Sequence, residues 1–460
     1  MLLSFSFTNH RSFRDEQQLN LTPAYPNTEV SAGRDAAVRV VGIFGANASG
    51  KSNCLHALAF MRRLAIRSDR EVEPGFGLVR DPFRLSMDAS DAPSRYVVDL
   101  LLGGVRHTYG FALDDERVLE EWLYQYPHNR KRTVFDRDED GFTWGEGSGR
   151  RGELERIADI TAPTALFLST VARFEAHRRA TDPDEPQPLH ETYRWFLGLR
   201  TQTRPGTGRY LRPDLRWTTD PDSRRVIVEL LRAADVGIVD IALKKTDPDP
   251  TIFDPASFFD ESIDNEGKSV GGMNRNSRNP AGRKTLDRRS TDQLRLQLSH
   301  RASTGDVLFD LHDESTGTQQ LLALGVDAAA VLRGGGVMTV DEIDASLHPM
   351  LTAKLIGLFQ NPVTNPLHSQ LIFTSHDAAL LGTFDTEEVL ERDEIWFTQK
   401  DAEGASSLYP LTDFKPRKEG ENRQRRYLNG NYGGIPDLST YLFEQALATR
   451  GAANDQPKED

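Results

Sequence analysis

Gly45, four intervening residues, then Gly50, Lys51 and Ser52 stand in the stretch VVGIFGANASGKSN, residues 41 to 54. That is the spacing of a phosphate-binding loop. After an apolar strand (Val40, Val41, Ile43, Phe44) the chain has to wrap an anion with its amides pointing inward. Glycine alone takes the positive φ this needs without a side chain in the way. In such a loop Lys51 reaches the β and γ phosphates and the Ser52 hydroxyl ligates Mg²⁺, while the helix that starts there turns its positive end toward the anion. Gly45, Asn47, Ser49, Gly50, Lys51, Ser52 and Asn53 are the residues expected around the nucleotide. A strand before the loop and a helix after it, with Leu55, Leu58 and Ala59 at spacings of three and four, argue against a chance match. The loop alone leaves open whether the nucleotide is turned over or held as a structural plug.

Turnover needs a carboxylate for the metal and a group that activates water. Far downstream, VMTVDEIDASLHP (337–349) reads as a short buried strand ending in Asp341 and Glu342, after a helix stopped by Gly334, Gly335 and Gly336. Asp341 at the carboxyl end of that strand is expected to hold the metal through water, and Glu342 to face the γ-phosphate as general base. Another apolar strand, LIFT (371–374), ends in Ser375-His376-Asp377. A histidine there can be a surface or capping residue, but it also stands on the edge where ligands of parallel sheets collect. Between these motifs, DESTGTQQLLALG (313–325) opens a helix at Ser315, Thr316 and Gly317, an arrangement equally suited to an N-cap and to a second phosphate.

The elements that must position these groups make an α/β pattern. LLSFSFTN alternates Leu3, Phe5 and Phe7 with Ser4, Ser6 and Thr8, the signature of a half-buried strand expected to join the sheet carrying the P-loop. The P-loop helix is expected to run to about Ile66, and residues 83 to 143 carry several strand-like runs that form a small β-rich lobe. From 151 to 245 the pattern turns helical, including 191–199 and 223–236. Residues 260 to 292 are almost free of large apolar side chains, which predicts a mobile loop. Its basic half, from Arg275 to Arg289, fits either a solvated charge run or a nucleic-acid contact. The expected organisation is an N-terminal lobe over 1–150, a mainly helical insertion over 151–305 and a C-terminal lobe over 306–460.

With 460 residues, 38% of them hydrophobic, the chain can bury a substantial core. A net charge of −13 argues against a uniformly cationic nucleic-acid coat and leaves local basic patches open. The single cysteine, Cys54, excludes an intrachain disulfide and a paired-cysteine zinc site. No stretch is long and apolar enough for a membrane span or a secretory leader, so a cytoplasmic protein without a membrane partner is expected.

Taken together, LLSFSFTNHRSF, GANASGKSN, LEEWLY (119–124), LFLS (166–169), ESTGTQQLL, VDEIDASLHP, FTSHD and YLNGNYGGIP (427–436) resemble an ABC-class ATPase of the branch containing SMC, RecF and OLD proteins. They are most similar to the stand-alone RloA/AbiL-type ATPases of bacterial anti-phage systems. The roughly 290 residues between Lys51 and Asp341 suit that class. The resemblance implies a P-loop ATPase head with a β-rich lobe and an inserted helical subdomain. It makes Lys51 and Ser52 the Walker A ligands, Asp341 and Glu342 the Walker B pair, His376 the switch histidine sensing the γ-phosphate, and Asp344 part of the D-loop. Ser315 and Gly317 match the signature motif, here STGTQ where transporters carry LSGGQ; the Q-loop glutamine has no assigned position.

In this class two chains pair head to tail, each ATP lying between one P-loop and the other chain's signature helix. The resemblance therefore implies ATP and Mg²⁺ as cofactors and a homodimer or higher even oligomer. Its leading functional expectation is an ATPase that senses and regulates a separately encoded toxic effector, often a Toprim-like nuclease of the RloB type, in a toxin–antitoxin-like defence system. The alternatives are a RecF-like DNA repair ATPase that clamps DNA when ATP is bound, and a nucleotide-locked scaffold without meaningful turnover; DNA or RNA is a further candidate partner.

Overall fold

The computed structural model describes residues 1–25, 37–71, 77–146, 151–175, 188–202, 216–234, 237–246, 293–303, 305–384, 386–417 and 420–436. The segment 260–292, read from sequence as a mobile loop, lies outside the described residues.

The P-loop strand Val40–Gly45 is buried along its whole length and occupies the middle of a six-stranded sheet. Gln370–Thr374, which leads to His376, pairs with it in parallel on one side, and Ile395–Lys400 on the other. Beyond Gln370–Thr374 come the carboxylate strand Val337–Val340 and then Leu199–Gln202, both parallel; Ser406–Pro410 closes the opposite edge antiparallel. A parallel sheet covered on both faces takes near-continuous apolar runs, which is why VVGIFG and LIFT carry no polar alternation.

Alternate side chains feed two cores. Val41, Ile43 and Ile372 pack with the P-loop helix Lys51–Glu71, while Val40, Phe44, Met338, Val340 and Phe373 pack against the signature helix Thr316–Gly334 and the helix Pro349–Gln360. The P-loop helix is therefore five residues longer than its sequence pattern suggests.

A second, seven-stranded antiparallel sheet covers the far side of that helix. Its order is Gln17–Asn20, Leu2–Thr8, Ser94–Leu102, Val105–Leu113, Val118–Tyr126, Arg132–Asp138 and Gly141–Trp144. Phe5, Phe7, Tyr96, Tyr109, Phe111 and Phe135 meet Phe60, Met61 and Leu64 in one core. The strand-like runs between 83 and 143 lie here. The first strand lies here too, paired antiparallel with Ser94–Leu102 (Phe5 opposite Val98), which corrects the expectation that it joins the P-loop sheet. The physical reason is its alternation: one apolar face suits an antiparallel sheet with a single covered side, whereas every strand at the centre of the P-loop sheet is buried on both.

The segment expected to be mainly helical is mixed. Three helices in succession, Arg151–Asp159, Phe167–Glu175 and Pro188–Gly198, are followed by the strand Leu199–Gln202, the helices Arg216–Thr219 and Pro221–Ala233, and the strands Ile238–Thr246 and Gln293–His300. Leu199–Gln202 belongs to the P-loop sheet; Gln293–His300 pairs with Ile238–Thr246 on one side and Val307–Asp310 on the other in a separate three-stranded sheet. Ile227, Leu231, Ile238, Ile241, Leu298 and Leu321 form a third core that ties this sheet to the signature helix. Four residues of LRTQ are too few to show a period, so only pairing with Val337–Val340 identifies the strand. Among the described residues, no helix is long and apolar enough to cross a membrane.

Candidate functional site

The loop geometry explains its glycines. A Cβ on Gly45 would lie 2.6 Å from the Thr398 carbonyl oxygen and 2.7 Å from Ser49 Oγ; one on Gly50, at φ 114°, would lie 2.6 Å from Ser406 Oγ. Ala48 takes the left-handed region at φ 62° without being glycine. The neighbouring strand ends hold the loop in place. Ser49 Oγ and Thr398 Oγ1 are 2.6 Å apart, Asn53 Nδ2 donates to Ser12 Oγ at 2.8 Å, and Ser406 Oγ donates to the same Ser12 oxygen at 2.8 Å. Asn47 and Ser52 are exposed on the loop and the first helical turn.

Lys51 points back into the loop, donating to the Gly45 carbonyl at 2.8 Å and the Ala46 carbonyl at 3.0 Å, with His376 Nδ1 3.3 Å away. Burial lowers its pKa to about 8, while the charges of Glu342, Asp341 and Asp344 oppose that shift. Three carboxylates thus face one ammonium, a local surplus of negative charge that suits a cation.

Asp341 is buried at the end of its strand, and Thr374 Oγ1 donates to its Oδ1 at 2.6 Å. Glu342 follows at φ 54°, and its Oε1 lies 3.6 Å from His376 Nε2. The His376 backbone N–H donates to Asp344 Oδ1 at 3.4 Å. Lys51, Asp341, Glu342, Asp344 and His376, widely separated in sequence, therefore converge at the carboxyl ends of three adjacent parallel strands, the position where such sheets collect ligands.

Ser315 and Gly317 lie at the start of the helix Thr316–Gly334. Ser315 is the N-cap of its helix, its Oγ accepting from Thr318 N at 3.1 Å, and a Cβ on Gly317 would lie 2.6 Å from the Ser346 carbonyl. The start of the signature helix is thus packed against the turn following Asp344. Among the described residues, neither Ser315 nor Gly317 makes a hydrogen bond to the P-loop of the same chain.

Several groups around the site carry no role assignable from the sequence. Thr374, at the end of its strand, and Thr398, inside the strand Ile395–Lys400, are fully buried polar residues, a signal visible only once the strands are known to be neighbours. Gln202 ends the strand beside the carboxylates: its carbonyl accepts from Asp341 N at 3.0 Å, and its side-chain amide donates to Ala323 O at 3.3 Å and to Asp327 on the signature helix. The YGG turn braces the loop from behind, since a Cβ on Gly434 would lie 3.3 Å from Thr398 O and 3.6 Å from Gly45 Cα. Tyr409 donates to Tyr432 O at 2.9 Å and Tyr427 to Gly434 O at 3.2 Å.

Residues 40–382, from the P-loop strand to beyond His376, match the family described as "AAA domain, putative AbiEii toxin, Type IV TA system". Septu protein PtuA of Bacillus mycoides (strain KBAB4) is 28% identical over 167 residues, 33% of this chain and 21% of PtuA, so the chain spans about a fifth of the length of the curated relative it matches. Solved structures that align over most of the chain include the SMC head domain from Thermotoga maritima (13% identical, 89% of this chain and 98% of that one, TM-score 0.39). The Smc head domain with an extended coiled coil from Pyrococcus furiosus, bound to the C-terminal domain of ScpA, aligns similarly (12% identical, 90% and 97%, TM-score 0.40).

Proposed function

The chain belongs to this AAA-domain family of the AbiEii type, and from that premise we propose that it is an ATPase which binds and hydrolyses Mg·ATP between two head-to-tail copies of itself. The observation that supports the reading is the convergence of the P-loop lysine, the Asp341–Glu342 pair and His376 at one sheet edge. The donor set fits magnesium: the Ser52 hydroxyl and the Asp341 carboxylate are hard oxygen ligands, in a site whose charge surplus is negative. Mg²⁺, when bound, neutralises charge on the β and γ phosphates. Lys51 gives up its two loop carbonyls for phosphate oxygens. Glu342 takes the proton of the attacking water, and His376, 3.6 Å from it, holds that carboxylate in line.

Ser315 completes the site from the second copy. Its helix offers a hydroxyl and free amides, which gain most against a γ-phosphate. ATP then acts as the adhesive between copies, and hydrolysis loosens them. Gln202, beside Asp341 and tied to the signature helix, takes the place of the Q-loop glutamine. The dimer regulates a separately encoded toxic effector of nuclease type in anti-phage defence.

Glu342→Gln should keep ATP binding and abolish release, so the purified variant doubles its mass with Mg·ATP in size-exclusion light scattering. A variant that stays monomeric at saturating ATP, together with an unchanged hydrolysis rate, rejects the site. Co-expression with the adjacent gene tests the wider reading: protection against phage lost in Lys51→Ala supports it, and toxicity indifferent to Lys51→Ala sinks it. Salt-dependent DNA binding by the chain alone, without any effector, would instead favour a clamp.

A further inference from the structure

We propose that Thr374 is the positioning residue of the hydrolytic centre, setting both the metal carboxylate and the general base through one hydroxyl; the proposal rests on the ATPase reading above. Thr374 closes the strand between the P-loop strand and the carboxylate strand and is fully buried. Val340 lies opposite Phe373, so the next step of the ladder sets Thr374 beside Asp341. Three consecutive residues of the Asp341 turn are then held by this one residue. Its hydroxyl donates to Asp341 Oδ1 at 2.6 Å, the same oxygen accepts from Glu342 N at 2.7 Å, and its carbonyl accepts from Ile343 N at 3.0 Å. The directions follow from chemistry: an ionised carboxylate only accepts and a backbone N–H only donates, so the single hydroxyl proton goes to Asp341.

Two consequences follow for the reaction. The short bond to Oδ1 fixes the plane of the Asp341 carboxylate, and so the direction of its remaining lone pairs toward a cation. The bond from Glu342 N helps to hold Glu342 at φ 54°, a left-handed conformation that a non-glycine residue rarely adopts and that directs its side chain toward His376. His376 lies two residues beyond Thr374 on the same strand end, so the base and its histidine partner are registered through this threonine.

A buried threonine that merely satisfies strand ends would affect stability alone. Thr374→Val removes the hydroxyl at nearly constant shape, and Thr374→Ser restores it. The Val variant should bind ATP with Kd within about threefold of wild type, lose about tenfold or more in kcat, and need several-fold more Mg²⁺ for half-maximal rate. Mn²⁺ titration of the complex with a non-hydrolysable ATP analogue, followed by electron paramagnetic resonance, should show the same weakening independently of turnover. The Ser variant should lie within about threefold of wild type in every measurement. A Val variant with wild-type kcat and metal dependence overturns the proposal. Should Val fail to fold, Thr374→Cys, which keeps the shape with a poor hydrogen-bonding group, takes its place with the same expectations. A wild-type chain that ignores Mg·ATP overturns the underlying ATPase reading, and this proposal with it; a Val defect beside normal wild-type turnover cannot be confused with that result.

Discussion

At the scale of single residues the chemistry turns on Lys51, which is buried before any ligand arrives. Burial holds its pKa to about 8, and anionic phosphate oxygens should raise it again. The sign of the pH effect follows. Below pH 8 the free protein already carries the charge, and above it the free lysine is neutral, so ATP binding must take up a proton. ATP affinity should therefore fall as pH rises from 8 toward 10, by up to about tenfold per pH unit. Calorimetric titrations in two buffers of different ionisation enthalpy would read the proton uptake directly; its absence at pH 9 would mean that Lys51 does not meet the phosphates. Lys51→Ala should abolish measurable ATP binding under the same conditions.

At the scale of elements, two features make separate predictions. The start of the signature helix touches the turn after Asp344 so closely that Gly317→Ala places a methyl 2.6 Å from the Ser346 carbonyl. The helix N-terminus must shift, while the P-loop is untouched. ATP binding by the monomer should persist and ATP-dependent pairing should weaken by about tenfold or more, measured by sedimentation; unaltered pairing would remove this helix from the interface.

The second feature is the turn Arg392–Glu394 at the start of the strand that supports the P-loop through Thr398. Burial, helped by Glu391 and Asp393, raises the Glu394 pKa from 4.5 to about 8. The folded state keeps the proton where the unfolded chain has lost it. Its contribution is thus complete below pH 4.5 and lost as pH rises to about 8. Glu394→Gln fixes the neutral form. The variant should gain on wild type across that window, on the order of 1 kcal/mol per pH unit, and urea midpoints at pH 6 and 8 would show whether the gap widens.

For the whole molecule, the decisive feature is that, among the described residues, the signature start makes no hydrogen bond to the loop of its own chain that it is proposed to complete in a second copy. If each ATP uses the loop of one copy and the helix of the other, Lys51→Ala and Ser315→Arg are each inactive alone. Mixing them makes one intact site per heterodimer, from the Ser315→Arg loop and the Lys51→Ala helix. Equal mixtures should recover up to about a quarter of wild-type ATPase activity on a statistical assortment of two kinds of copy. Mixtures as dead as their components would rule out completion in trans.

The P-loop, the carboxylate pair and the histidine were legible in the sequence because each obeys a local rule: glycine where the backbone must turn tightly, a run of apolar residues, then an acid or histidine where a strand ends. The β-rich lobe was legible for the same reason, as its strands alternate. The sheet of the first strand is not legible, because alternation states that one face is covered but not by what. LRTQ does not read as a strand, nor Gln202 as a neighbour of Asp341, since four residues carry no period. Thr374, Thr398 and the YGG turn acquire meaning only from partners on other strands, about thirty residues away for Thr374 and hundreds for Thr398 against Ser49 and Gly434 against Gly45. Spacing along the chain determines which residue can do chemistry; the order of strands in a sheet, decided by burial on two faces at once, determines which residues hold it in position.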